Sequence, residues 1–165
     1  MLDLALDGRV GEGVNLKKAT GMKCSLVFLV VALAASAAFA HNGVTNPAVM
    51  ARMHAMSAVS DQMKVLGMMV KHANVFDKEA TRTAAAEIAK HAAATPVLFE
   101  APEDDPKSEA KNAIWTSFDD FTAKANEMEK VATQLSQSIE TFNDLSPAVI
   151  ALGKTCEACH SVYRK

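Results

Sequence analysis

The sequence predicts an all-α protein, folded as an antiparallel, up-down-up-down four-helix bundle. Half of the 165 residues are hydrophobic but only 5% are aromatic, and alanine and methionine, which favour helices, make up the difference. The chain has only 5 prolines and 7 glycines. Apolar residues recur at alternating spacings of three and four, the period of one helix face. The net charge of −2, without a basic stripe, argues against nucleic acid as a partner.

The first forty residues predict export. Residues 22–40 (MKCSLVFLVVALAASAAFA) contain a lysine, an apolar centre, and small residues at the last and third-last positions, the pattern of a cleaved signal peptide. A retained anchor is the alternative, but the apolar stretch is short for a span of about 20 residues, so no stable membrane span is expected. Residues 1–21 fit badly before such a signal, so we expect translation to begin at Met22. Cleavage after Ala40 would leave residues 41–165 as the mature domain.

The first predicted helix covers residues 45–73. Asn46 can cap it, and Pro47 suits the first helical position. Its inward seam follows the 3,4 spacing and contains Val49, Arg52, Met56, Val59, Met63, Leu66 and Val70.

The second predicted helix covers residues 77–95, with Asp77 as the N-cap and Thr95-Pro96 as the stop. Residues 96–110 contain three prolines and an acidic cluster. They are therefore predicted to form a loop whose acidic side chains are solvated.

The third predicted helix starts near Lys111 and keeps the 3,4 spacing as far as Phe142. Residues 142–147 (FNDLSP) are predicted to break it, and Ser146-Pro147 to open the last helix. Four amphipathic helices with mostly short connections predict the bundle.

The motif Cys156-x-x-Cys159-His160 carries the chemistry. Zinc usually takes four ligands, often from two such pairs, and here there is one pair. A thioredoxin-like redox pair needs a βαβ context, and this chain is helical. Covalent haem c needs two thiols for its vinyl groups and an adjacent imidazole for the iron, and the three residues share one helix face. We therefore predict one covalently attached haem c; a surface disulfide with an idle histidine is the alternative.

A single C-terminal CxxCH in an exported four-helix protein resembles the cytochrome c-prime family, the class II c-type cytochromes. The segments MKVLGMMVK, LFE and IWTSFDDF and the ending LGKTCEACHSVYR also resemble family positions. The resemblance implies thioether bonds at Cys156 and Cys159 and His160 as the proximal ligand. It implies that Arg164 lies near the proximal face and a propionate, with an ordinary helix-end arginine as the alternative. It places Arg52 near the haem, with a solvated arginine as the alternative.

The sixth ligand of the iron decides the function. In an antiparallel bundle the start of the first helix lies level with the end of the last. The rise of about 1.5 Å per residue allows Met50, Met53 or Met56, and the inward seam selects Met56. The resemblance associates a methionine there with six-coordinate, low-spin iron of the Met-ligated branch. We therefore predict His160/Met56 ligation and a periplasmic electron carrier, not an enzyme, with periplasmic redox proteins as partners and homodimers as a family option. The alternative is a five-coordinate cytochrome c-prime-like protein that binds nitric oxide or carbon monoxide.

A peroxide-processing enzyme is a weaker alternative. It would need a distal acid–base pair such as Arg52 and His54. Residues two apart on a helix point about 200° apart, so both cannot face the iron.

Overall fold

Helices form the regular structure of this protein. The computed structural model describes residues 43–165; the predicted upstream segment, signal peptide and cleavage after Ala40 lie outside the described residues. Within residues 43–165 there is no strand, and a single 3-10 turn (Ala73–Val75) follows the first helix. The helices are α1 (Pro47–Lys71), α2 (Lys78–Leu98), α3 (Ala113–Thr116), α4 (Phe118–Ser138) and α5 (Phe142–Tyr163). The all-α prediction is confirmed.

The four long helices form an antiparallel bundle, as predicted. α2 packs most extensively on α4, α1 contacts α2 and α5, and α4 contacts α5. Short connections join α1 to α2 and α4 to α5, which favours antiparallel neighbours. The longer connection, 99–117, joins α2 to α4 and carries α3. None of the described helices has the length and apolar character that crossing a membrane requires.

α1 begins and faces the core as its sequence predicts. The Asn46 side chain accepts hydrogen bonds from the backbone N–H groups of Ala48 (2.9 Å) and Val49 (3.2 Å). Pro47 occupies the first position, where an N–H would have no helical partner. Four seam residues are buried, Val49, Arg52, Val59 and Leu66, and three are half-buried, Met56, Met63 and Val70.

α2 is capped as predicted, because the Asp77 carboxylate accepts from Ala80 N–H at 2.9 Å. The predicted stop at Thr95-Pro96 is wrong: the helix continues to Leu98, with Pro96 inside it. A proline inside a helix costs about 3 kcal/mol, since it removes one hydrogen bond and crowds the preceding turn. The burial of Thr95 and of Phe99 just beyond the helix offsets this cost.

The predicted continuous helix from Lys111 to Phe142 is also wrong at both ends. One turn, α3, is separated from α4 by Ser117, whose φ of −137° and ψ of 46° are not helical. α4 then ends at Ser138, because Ile139 has an extended backbone. The 3,4 spacing continues past this break, since Ile139 is still buried in the core.

The last helix starts earlier than predicted, at Phe142 instead of Ser146-Pro147. Thr141 and Asp144 form a capping box: Asp144 accepts from the Thr141 N–H at 2.8 Å, and the Thr141 side chain accepts from the backbone N–H of Asp144, the third helical position. Pro147 lies within the helix and removes one backbone hydrogen bond. The Phe142 ring packs edge-to-face on Phe76, with centroids 6.2 Å apart, which fixes this end of the bundle.

The acidic cluster between α2 and α3 is not wholly solvated, which corrects the prediction. Glu103 and Asp104 are exposed, but Asp105 is buried. Its carboxylate accepts from the backbone N–H groups of Lys107 (2.9 Å), Thr45 (2.9 Å) and Asn46 (3.0 Å). These donors lower the pKa of Asp105 from 3.8 to about 2. The loop is therefore fastened to the start of α1.

The core has two parts along the bundle axis. The larger cluster surrounds fully buried residues from the long helices, among them Leu66, Ile88, Ala132, Leu145 and Leu152. The smaller cluster is aromatic and contains Phe99, Ile114, Phe121 and Tyr163, with Cys159 packed against it. The aromatic cluster adjoins the cavity described next.

Candidate functional site

A cavity of about 720 Å³ lies beside the aromatic cluster. All four long helices contribute to its wall, together with residues 107–110 of the connection after α2. Its volume falls within the range of about 300–1,000 Å³ that is usual for cofactor and ligand sites.

α5 brings the predicted Cys156, Cys159 and His160 to this cavity. The helix places residues i, i+3 and i+4 on one face, so the motif spacing alone accounts for their alignment. Both thiols are free and half-buried, and burial raises the pKa of each, which keeps them neutral. The Cys156 thiol donates to the Leu152 carbonyl at 3.5 Å.

The His160 side chain lines the cavity but keeps much of its surface in solvent. Partial burial and the Arg164 charge lower the pKa of His160, while the Glu109 carboxylate raises it. A neutral imidazole is the form that ligates a metal. The ring is therefore suited to coordination at neutral pH.

α1 contributes methionine sulfurs to the facing wall. Met56, the predicted sixth ligand, is half-buried and lines the cavity. Met53, which is 40% exposed, and Met63 line it as well. The cavity thus extends along α1 past the level at which the helical rise places Met56. Since three sulfurs share the wall, ligation by Met56 stays a prediction.

Arg52 lies in the cavity wall and is only 3% exposed, so the solvated alternative is wrong. Its guanidinium donates to three backbone carbonyls, those of Leu98 (2.8 Å), Ala101 (2.5 Å) and Glu103 (2.7 Å). Burial lowers the pKa of Arg52, and the nearby Glu103 carboxylate partly opposes this. Arg52 therefore fixes the segment that follows α2.

Two aromatic rings enclose the Arg52 guanidinium. Its central carbon lies 4.7 Å from the Phe99 centroid and 5.4 Å from the Trp115 centroid. The Trp115 indole N–H donates to the Phe99 carbonyl at 2.8 Å. Such cation–π contacts contribute about 0.5–2 kcal/mol depending on desolvation. Trp115 therefore packs against Arg52 and the aromatic cluster, next to the residues that line the cavity.

Arg164 also lines the cavity, where it binds Glu109. Its Nε donates to Glu109 Oε2 at 2.6 Å, and its Nη2 lies 2.5 Å from the same oxygen. Arg164 is at the same time the C-cap of α5, because its N–H donates to the His160 carbonyl at 3.1 Å. Both sequence interpretations of Arg164 therefore remain compatible with its position.

Sequence reasoning missed several residues of the cavity wall. Lys107, Ser108 and Glu109 come from a loop without periodicity, so nothing in the sequence indicated their position. Met128 lies on the predicted 3,4 seam of α4 and could have been named from that spacing. Lys124 lies in the wall too, with its ammonium 3.5 Å from Asp120.

Tyr163 closes the wall next to the motif. It is 3% exposed, and its hydroxyl donates to the Asp120 carboxylate at 2.6 Å. Burial and then this carboxylate raise the pKa of Tyr163 to about 12. The phenol therefore stays neutral and joins the end of α5 to the start of α4.

The residues present fit a covalently attached haem. Two thiols and an imidazole lie on one helix face within a largely apolar cavity, and three thioethers of α1 line the same cavity. Four basic side chains and one acidic side chain also line the cavity. That excess of positive charge suits a group with two carboxylates, as haem has.

Comparison with known proteins agrees with this fit. The sequence model of the cytochrome c' family matches residues 47–164. A cytochrome c-556 from Agrobacterium tumefaciens (strain II Chrys) is 33% identical over 110 residues, 66% of this chain and 89% of the relative. A cytochrome c' from Pararhodospirillum photometricum is 33% identical over 117 residues, 69% of this chain and 93% of the relative. The solved cytochrome c prime from Shewanella frigidimarina has a TM-score of 0.65 and 28% identity, over 72% of this chain and 94% of the other.

This chain belongs to the cytochrome c' family of c-type haem proteins. Membership implies covalently attached haem c, and in bacteria the family is periplasmic and generally not enzymatic. The family prediction from the C-terminal motif is confirmed.

Proposed function

We propose that this protein carries single electrons through one covalently attached haem c, with His160 and Met56 as the axial ligands of the iron. The observation that supports this most is that the two residues line one cavity from different helices, α5 and α1. The same proposal includes signal-peptide cleavage after Ala40 and periplasmic redox proteins as partners. The proposal also allows a homodimer formed through α1 and α2, as the resemblance to the family implies.

When bound, the haem supplies a reversible one-electron couple. The chain's own residues would hold it and set its potential. Cys156 and Cys159 would form the thioether bonds, and the α5 helix keeps their spacing fixed. The Met56 thioether is an uncharged, soft ligand that favours the reduced iron and raises the potential.

The wall also limits access of water to the site. Phe99, Ile114 and Phe121 are buried and pack together, with the Phe99 and Phe121 centroids 5.0 Å apart. A buried apolar shell lowers the local dielectric and reduces reorganisation of solvent during electron transfer. This arrangement supports a carrier that leaves its ligands unchanged.

The decisive experiment replaces each wall methionine of α1 in the haem-loaded protein. Met56→Ala should abolish the weak far-red sulfur-to-iron absorption band and open the ferrous iron to carbon monoxide. Met53→Ala and Met63→Ala are matched controls and should keep the band. The proposal is wrong if the unmutated ferrous protein binds carbon monoxide readily and has a high-spin spectrum.

A second variant tests the other ligand. His160→Ala should change the absorption spectrum while the thioether bonds stay intact, because the imidazole is lost and the cysteines are not. Mass spectrometry would show that the haem is still attached. An unchanged spectrum would mean that another residue holds the iron.

Gas binding is the second candidate. One solved family member, from Alcaligenes xylosoxidans, is a nitric oxide complex, although at 22% identity this likeness carries the fold alone. The relatives named cytochrome c' fit this candidate at least as well as they fit electron transfer. Rapid carbon monoxide binding by the unmutated ferrous protein would support this candidate.

A further inference from the structure

We propose that Glu109 is the carboxylate partner of His160 and lowers the reduction potential of the iron, and that the positive charge of Arg164, which is paired with Glu109, acts in the opposite direction. This inference rests on His160 being the iron ligand, as proposed above. Glu109 lies in a loop and belongs to no motif of the sequence.

Glu109, Arg164 and His160 line the same cavity. Arg164 binds the Glu109 carboxylate through one oxygen, Oε2, at 2.6 Å from Nε and 2.5 Å from Nη2. The Glu109 side chain is 59% exposed, and the Arg164 side chain is 53% exposed. An ion pair that exposed adds at most about 1 kcal/mol of stability. Its position beside the ligand therefore calls for an explanation other than folding.

The backbone fixes Glu109 beside the end of α5. The Lys165 N–H donates to the Glu109 carbonyl at 2.8 Å, and the Lys111 N–H donates to the Tyr163 carbonyl at 2.9 Å. Between them Ala110 and Arg164 form an antiparallel bridge. These bonds join both sides of Glu109 to the turn that follows His160 and keep the backbone of Glu109 beside that turn.

The charges near His160 act on it with opposite signs. The Arg164 N–H donates to the His160 carbonyl at 3.1 Å, and the Arg164 guanidinium binds the Glu109 carboxylate. Both charges therefore lie next to the turn that carries the imidazole.

A carboxylate near a ligating histidine has a known chemical effect. One ring nitrogen binds the metal, and the N–H of the other donates to a carboxylate, a carbonyl or water, which makes the ligand more basic. The Arg164 bonds use Oε2 of Glu109 and leave Oε1 as an acceptor for that N–H. A more basic imidazole and a nearby negative charge both stabilise ferric iron, which lowers the potential.

The test is the midpoint potential of the haem-loaded variants. Glu109→Gln keeps the shape and removes the charge, so it should shift the reduction equilibrium toward ferrous iron by about threefold to tenfold. Arg164→Gln removes the positive charge and should shift the equilibrium toward ferric iron. The midpoint potential of the double variant should lie between those of the two single variants.

Glu140→Gln is the matched control. Glu140 is also an ion-paired glutamate, bound to Lys78 and Arg82, but it lies 20 residues before His160, or about 30 Å along the helix direction. The midpoint potential of the Glu140→Gln variant should equal that of the unmutated protein.

Two outcomes would overturn the inference. If Glu109 and Arg164 only stabilise the fold, breaking their pair from either side should move the potential in the same direction, or leave both variants equal to Glu140→Gln. An unchanged spectrum in His160→Ala would instead overturn the ligation, and this inference with it. The spectrum of that variant therefore separates the two failures.

Discussion

Replacing Arg52 with alanine should destabilise the protein strongly, because this buried charge holds the wall of the cavity. The guanidinium donates to the carbonyls of Leu98, Ala101 and Glu103, and it lies between the rings of Phe99 and Trp115. These partners belong to the last residue of α2 and to the connection between α2 and α4. Without Arg52, nothing on α1 would occupy these three carbonyls.

The size of the effect follows from these contacts. A hydrogen bond to a charged group contributes about 1.5–3 kcal/mol, so three would give roughly 4–9 kcal/mol if they were independent. The carbonyls of the loop can partly regain water, and the burial cost of the charge itself disappears, which reduces the total. We expect a loss of about 3–5 kcal/mol for Arg52→Ala. The stability of Arg52→Lys should lie between that of Arg52→Ala and that of the unmutated protein, since a single ammonium cannot reach all three carbonyls.

The assay is guanidinium unfolding of the haem-loaded protein, followed by far-UV circular dichroism. The matched control is Lys64→Ala on the same helix, because Lys64 is exposed and, among residues 43–165, pairs only with Asp61 at 2.7 Å. That variant should stay within about 0.5 kcal/mol of the unmutated protein. If Arg52→Ala unfolds within about 1 kcal/mol of the unmutated protein at an unchanged slope, the structural role assigned to Arg52 is wrong.

Three further predictions follow. Mass spectrometry of exported protein should find a start at His41 and the added mass of one haem; free thiols without that mass would contradict the covalent attachment. Asp105 has a pKa depressed from 3.8 to about 2, so its stabilising effect should be complete above about pH 4 and lost as the pH falls toward 2. Asp105→Asn should therefore be less stable than the unmutated protein at pH 5 and nearly equal to it near pH 2, by denaturant unfolding. Leu152→Ala should lose about 2–5 kcal/mol because the side chain is fully buried. Ile150→Ala, at a site 58% exposed, should lose less than about 0.5 kcal/mol, and equal losses would contradict the assigned core.

The fold was predictable because it depends on repeated local spacing. The 3,4 seam of α1 and the caps at Asn46 and Asp77 require only neighbouring residues, and the structure confirms them. The boundaries set by proline were wrong, since Pro96 and Pro147 both lie inside helices. Proline costs a fixed few kcal/mol, and burial or a capping box elsewhere in the same helix can exceed that cost. Such compensation depends on tertiary contacts, which local rules omit.

The site divides in the same way between local and distant contacts. Cys156, Cys159 and His160 share a face because of their spacing alone, so the cofactor could be predicted from three residues. Arg52 contacts carbonyls 46 to 51 residues away, and Glu109 meets Arg164 across 55 residues. No periodicity encodes these approaches. They arise where the connection after α2 folds back, over α1 at Arg52 and over the end of α5 at Arg164. On the ligation proposed above, charges placed beside the end of α5 act on His160 independently of the motif. Proteins with the same CxxCH and the same bundle can therefore differ in potential through this connection, and the opposite shifts expected for Glu109→Gln and Arg164→Gln measure that difference within one chain.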